Sequence, residues 1–146
     1  MGKLLAIAQR EKSKAPMEEL VNATVLFDTG VGTDSRGKKQ GKRQVTVLVK
    51  EAWNQTCNLL SQEIPWTTRR ANLLISGLDL QNSTGSQLII GNVVLEITGE
   101  LVPCNRMDEQ YMGLTNILST NWRGGVCCKI ISEGRITVGD VVKFKQ

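Results

Sequence analysis

Four cysteines, an arginine pair and a glycine-spaced basic stretch carry most of the chemistry open to this chain, because it contains no histidine. Without an imidazole, Ser-His-Asp and Cys-His nucleophilic mechanisms are excluded. Acid–base work falls to carboxylates, lysines, the tyrosine or thiols. The cysteines at positions 57, 104, 127 and 128 include no Cys-x-x-Cys pair. Cys127 and Cys128 would point to opposite faces of a strand, so the spacing does not build a structural zinc site.

Cys104 follows Val102-Pro103 and precedes Asn105-Arg106, where a strand is expected to hand over to a helix capped by Asn105, with Asp108 completing a box-like start. There its sulfur would lie near the free amides and positive end of the helix, with Arg106 as a neighbouring cation. Both effects favour thiolate, the form that attacks sulfur donors and binds soft metals. The competing role is that of most free cysteines, a small buried apolar residue. That role is the expectation for Cys57, which shares a helical face with Trp53 and Leu60.

Two cationic segments offer anion binding. Arg36, Lys38, Lys39, Lys42 and Arg43 are interleaved with Gly32, Gly37 and Gly41, and glycine lets backbone amides approach an anion closely. Gly32-x-x-x-x-Gly37-Lys38 falls short of a phosphate-binding P-loop, because Lys39 stands where Ser or Thr must hold magnesium. In Thr67-Thr68-Arg69-Arg70-Ala71-Asn72 the adjacent arginines of an extended segment point opposite ways. One can then present its planar fork of donors to an anion while the other faces solvent or a carboxylate.

The elements that must position these residues are mostly strands. Residues 3–9 and the alternation of Val21, Ala23, Val25 and Phe27 predict the first two, and Asp28 to Gln44 is a long loop without hydrophobic period. Val45, Val47 and Val49 alternate in a strand running into a helix over 50–62, which Pro65 terminates. Strands follow at 73–75, 87–90 and 92–98, with Leu101 to Pro103 as a strand end. Met107, Tyr111, Leu114 and Leu118 fall on one face of a helix over 105–119. Strands at 126–131 and 136–144 close the chain, with turns at Gly134 and Gly139-Asp140. About seven strands and two helices, without an internal repeat, predict a mainly β architecture: a small closed β-barrel with flanking helices.

Composition agrees with one globular domain over 1–146. At 146 residues and 40% apolar the chain can close its own core, and 22% charged residues spread along it exclude disorder. Leu4-Leu5-Ala6-Ile7-Ala8 is too short for a bilayer span or a signal-peptide core, and Ala6 stands where a myristoylation signal needs Ser or Thr. A cytoplasmic protein with reduced thiols and no membrane partner is the expectation, and the sequons at Asn22, Asn54 and Asn82 then carry no meaning. The net charge of +4 suits anionic partners without naming one.

The ordered set Gly32-Thr33-Asp34, Arg43-Gln44-Val45-Thr46-Val47-Leu48, Glu51-Ala52-Trp53, Arg69-Arg70-Ala71-Asn72-Leu73, Gly77-Leu78-Asp79-Leu80, Gly85-x-x-Leu88, Pro103-Cys104 and Gly139-Asp140 resembles a stand-alone MOSC domain. This is the module found at the C-terminus of molybdenum cofactor sulfurases. The resemblance runs from about residue 3 to 144. It implies a barrel of the pyruvate-kinase type and a reactive cysteine, matched by Cys104, that carries persulfide sulfur or ligates molybdenum as a thiolate. It also implies a pocket for the phosphate-bearing molybdopterin cofactor, to which Arg36, Arg43, Arg69, Arg70 and Asn72 are assigned.

The chain departs from that family in three ways. Where many relatives carry a His after the Gly-x-Asp motif, Asp34 is followed by Ser35-Arg36. The additional N-terminal barrel of the amidoxime-reducing relatives is not expected. A desulfurase domain with a pyridoxal-binding lysine is not expected in the chain, so pyridoxal phosphate would belong to a separate cysteine desulfurase acting as sulfur donor, with a molybdenum enzyme as acceptor. The resemblance leaves open a sulfurtransferase-like role, a molybdenum-dependent oxidoreductase module and a non-catalytic cofactor carrier. A small basic barrel binding nucleic acid through residues 36–43 is the reading from another class. It lacks aromatic side chains among the cations to stack on bases.

Overall fold

Strand β5, Val45–Val49, is buried at all five positions, and the architecture follows from why. Its Val45, Val47 and Val49 face a core of aliphatic side chains that includes Leu4, Ile7, Leu88, Leu95 and Val142. Leu48 points the other way, into a second core with Trp53, Leu74, Met107, Leu114 and Leu118. A strand covered on both faces belongs to a wall between a barrel interior and a layer of helices.

The computed structural model describes residues 1–12, 14–39, 41–104 and 106–146. Besides β5 the strands are β1 Gly2–Gln9, β2 Glu18–Leu20, β3 Asn22–Leu26, β4 Gly30–Val31, β6 Leu73–Ser76, β7 Gln87–Ile90, β8 Val93–Glu100, β9 Val126–Ser132, β10 Gly134–Thr137 and β11 Val141–Lys145. Seven of them close a barrel in the order β11-β7-β8-β9-β5-β6-β1, with β1 pairing back to β11 and β2 adding to the edge of β1. Strands β10, β3 and β4 form a separate three-stranded sheet. All barrel pairings are antiparallel except β5–β6, whose parallel connection runs through helix α1, Lys50–Leu60. The mainly β, closed-barrel expectation is met, with flanking helices where the second core lies. Among the described residues no helix is long and apolar enough to cross a membrane.

Three local expectations are corrected. The helix expected over 105–119 is two short helices, α2 Arg106–Gln110 and α3 Leu114–Leu118. Gly113 separates them at φ 89°, a left-handed conformation that suits glycine. The Asp108 carboxylate, expected to complete the start of the first helix, instead accepts the Thr115 N–H at 2.9 Å and supports the second. The Asn105 cap lies outside the described residues. Gly134 opens β10 rather than making a turn. The strand end expected at Leu101 lies where β8 stops: past Glu100 the Leu101 N–H still donates to Gly125 O at 2.8 Å, continuing the β8–β9 register.

The long loop is held rather than loose. Its backbone pairs briefly with β3 through β4, and Gly30 and Gly37 pack so closely that a Cβ on Gly37 would sit 2.6 Å from the Gly30 Cα. Those glycines therefore serve backbone approach within the loop. Buried Gln44 donates to the carbonyls of Phe27 and Gly37 and accepts the Ile130 N–H, fixing both ends of the loop to the barrel.

Candidate functional site

The loops after β1, before β5, before β6 and after β8 converge on a cavity of about 700 Å³. Its lining carries seven cations, six of them arginines, against the single carboxylate of Glu109. Arg36, Arg43, Arg69, Arg70 and Cys104, all singled out from the sequence, meet there. Cys104 is a free, exposed thiol. Among the described residues no ion pair within 4 Å ties any cavity cation to a carboxylate; the pair present, Lys129–Glu96, lies on the β8–β9 ladder. Like charges crowded without partners favour an anionic occupant.

Asp34 organises one wall. It is 3% exposed, accepts the Arg10 N–H on Oδ1 at 2.9 Å, and accepts the Arg36 N–H on Oδ2 at 3.2 Å. Ser35 N donates to the Arg10 carbonyl at 2.8 Å, so the two basic segments are stitched together. The carboxylate thus spends its oxygens on backbone amides and leaves both guanidinium groups available. Burial, then the neighbouring Arg70 and Arg36, weaken the hold of Arg10 on its proton, while Asp34 acts the other way. For Arg36, burial and Arg43 lower the pKa, opposed by Asp34. The Arg10 Nη1 is buried without a hydrogen-bond partner among the described residues, a donor of the kind that native structures rarely leave unused.

The arginine pair does not sit in an extended segment. Trp66–Arg69 is a 3-10 turn, and Arg70 caps it in the left-handed region at φ 63°. The turn sends both side chains to the cavity, where an extended chain would have split them. Arg69 is 7% exposed, and its fork is already engaged: Nε donates to Gly124 O at 3.0 Å and Nη2 to Leu101 O at 2.7 Å. Burial first, then Arg36, bring its pKa down to about 10, with Cys104 and Cys127 acting in the opposite sense. Arg69 therefore ties down the segment bearing Cys104 while adding charge to the cavity.

Asn72 does not line the cavity. At 2% exposure it is a crosslink inside the wall: Oδ1 accepts from Thr46 N and Oγ1 at 3.0 and 3.2 Å, and Nδ2 donates to Ala8 O at 3.2 Å. It joins β1, β5 and the entry to β6. Cys127 lies behind the cavity, 5% exposed. Burial pushes its thiol pKa up, against the pull of Arg43, which hydrogen-bonds it. Cys57, expected in the core, is half-buried on α1 and packs against the edge of the second core.

Arg10 and Lys14 also line the cavity without having been singled out. A signal for Arg10 existed in the strand pairing. In the antiparallel β1–β6 ladder Ile7 faces Leu73, and continuing that register beyond β1 sets Arg10 across from Arg70. Helix α2 has five residues, too few for a sizeable macrodipole. The positive surroundings of Cys104 come from guanidinium groups instead.

The residues fit a phosphate-bearing cofactor that brings its metal already coordinated. The forks and the orphaned Arg10 donor suit a phosphate, and one thiol suits a soft metal. Among the described residues no group of three or more His, Cys, Asp or Glu can hold a metal ion.

No curated protein matches the sequence. Among solved structures, YuaD from Bacillus subtilis is similar with a TM-score of 0.76 and 17% identity, over 99% of this chain and 96% of that one. YiiM from Geobacillus stearothermophilus gives a TM-score of 0.77 at 13% identity over 100% of this chain and 76% of its own. YiiM from Escherichia coli gives 0.73 at 11%, over 99% and 70%. These likenesses establish the fold. The model of the MOSC domain matches residues 33–143, a span from the Gly-x-Asp loop through the arginine pair and Cys104 to the last barrel strand, and the chain belongs to the MOSC domain family.

Proposed function

We propose that the cavity binds the molybdenum cofactor through its molybdopterin phosphate and that Cys104 handles sulfur there, as persulfide carrier or as thiolate ligand to the metal. The observation that carries this reading is the exposed Cys104 thiol in a cavity with seven cations and one carboxylate. When bound, the cofactor supplies a redox-active metal held by its own sulfurs. Arg10 and Arg36 hold the phosphate, oriented by Asp34, with Arg43 and Arg70 completing the seat. Arg69 keeps the 101–104 segment against the cavity.

In the carrier role Cys104 thiolate attacks the terminal sulfur of a donor persulfide. A new S–S bond forms at Cys104, the donor S–S bond breaks, and the electron pair leaves with the donor thiolate. A cysteine desulfurase, with its own pyridoxal phosphate, is the donor of matching chemistry, and a molybdenum enzyme the acceptor. Transport of the intact cofactor without turnover uses the same contacts.

Anaerobic incubation with molybdenum-loaded molybdopterin, gel filtration and assay of metal and pterin test the reading, with Cys104→Ser in parallel. Co-elution near one equivalent in the parent, with metal lost from the variant, supports a thiolate-ligated cofactor. Pterin and metal retained equally by both would remove Cys104 from metal binding and leave the arginine seat. No retention by the parent would overturn cofactor binding.

A further inference from the structure

We infer that Cys104 also takes sulfur directly from a small dianionic sulfane donor of the thiosulfate type, a route open beside delivery by a protein persulfide. The inference rests on the reading of Cys104 as the sulfur-bearing residue. What it adds is the chemical class of the donor, and that comes from the surroundings of the thiol.

A protein-bound persulfide brings one negative charge to the reacting centre, carried on its terminal sulfur and without oxygens for a guanidinium fork to grip. A thiosulfate dianion brings two negative charges and three sulfonate oxygens, and needs donors in planar pairs to hold them. The cavity offers them in excess: its arginines have no carboxylate partner within 4 Å among the described residues, and the buried Nη1 of Arg10 has no hydrogen-bond partner. Asp34 meets Arg10 and Arg36 at their backbone amides rather than at their side chains. Cys104 and the preceding Val102 are both exposed, so a small solute reaches the thiol from solvent.

The transfer balances without an oxidant. Cys104 releases its proton to solvent, and the thiolate attacks the outer sulfur of thiosulfate. The Cys104 S–S bond forms, the S–S bond of thiosulfate breaks, and sulfite leaves with the electron pair. One thiolate and one dianion become one persulfide anion and one dianion. Sulfite is stable as a dianion and requires no general acid, in keeping with a chain that has no histidine. Charge moves during the reaction from the attacking sulfur onto the departing oxygens, where fixed guanidinium groups stabilise it most.

The test uses the reduced, full-length protein under anaerobic conditions with thiosulfate or, separately, cysteine persulfide. Peptide mass spectrometry locates any added sulfur, and released sulfite is titrated. Thiosulfate is expected to load one sulfur onto Cys104 with one sulfite released; Cys104→Ser should not load there, and Cys57→Ser should load as the parent does. Arg36→Gln and Arg10→Gln should slow loading from thiosulfate about tenfold or more, the loss expected for a charged hydrogen bond, with a smaller effect on loading from cysteine persulfide. In the unmodified protein, inorganic sulfate should inhibit the thiosulfate reaction selectively, which needs no variant to fold. Loading by cysteine persulfide but not thiosulfate would overturn this inference and leave the sulfur-carrier reading standing. Loading by neither would remove both, and thiosulfate loading insensitive to sulfate would remove the role of the arginines.

Discussion

Arg69 donates through Nη2 to the carbonyl of Leu101 at 2.7 Å, three residues before Cys104. The same guanidinium reaches Gly124 O through Nε, so one side chain binds the exit of β8 to the approach to β9. Replacing Arg69 by Met leaves two carbonyls without their donor. A loss of about 3 kcal/mol in stability is expected, as for breaking a buried charged network, read from urea unfolding. Gly124→Ala probes the joint from the other side, since a Cβ there would lie 2.7 Å from Leu101 O. Both folded variants should also lose the preference of Cys104 for iodoacetate over iodoacetamide, which reports how closely the thiol sits among cations. An unchanged preference in both would mean that the clamp does not position the thiol.

Asp34 should matter through the arginines it holds. In Asp34→Asn one acceptor oxygen becomes an NH₂ that cannot accept the N–H of Arg10 or Arg36. The expected result is a protein destabilised by about 2 kcal/mol, the scale of a buried donor left unsatisfied, with pyrophosphate binding weakened about tenfold or more. Calorimetric titration at two salt concentrations checks it. Pyrophosphate affinity equal to that of the parent would show that the two arginines hold their positions without the carboxylate.

Much of this was legible in the sequence because barrel strands and core alternate in period two. Val45, Val47 and Val49 read correctly from alternation alone. The site was legible in part, for a physical reason: Arg36, Arg43, Arg69, Arg70 and Cys104 lie on loops with unusual charge or glycine content, and all line the cavity. Arg10 was missed because its significance comes from a pairing between β1 and β6, residues far apart in the chain. Asn72 is assigned to the pocket, along with Arg69 and Arg70, by the resemblance. Its side chain turns inward to Thr46 and Ala8, a choice made by unsatisfied backbone groups that only the folded wall brings together.

Asn72 is accordingly expected to act through stability. Asn72→Ala removes the acceptor of Thr46 N and the donor to Ala8 O inside a wall at 2% exposure. The cost should be about 2–4 kcal/mol from groups left unsatisfied, measured by urea unfolding. A change below about 0.5 kcal/mol, the size of ordinary surface substitutions, would show that the crosslink has a ready substitute.

The buried thiols give the barrel a pH dependence with a definite sign. Burial raises the pKa of Cys128 well above the ordinary 9.0 and raises that of Cys127 as well, despite Arg43. Above about pH 8.5 the unfolded chain begins to lose thiol protons that the folded chain keeps. The folded state then binds more protons, and stability falls as pH rises, approaching about 1.4 kcal/mol per pH unit for each fully ionising group. Arg69 works in reverse, because its folded pKa of about 10 lies below the ordinary 12.5; its contribution to stability rises with pH, but only from about pH 10 upward. Urea unfolding between about pH 8 and 10 under reductant should therefore show declining stability. Cys128→Ala, which removes the more strongly shifted thiol, should flatten the decline over the same window. Equal slopes in parent and variant would mean that ionisation of this thiol in the unfolded chain does not drive the loss.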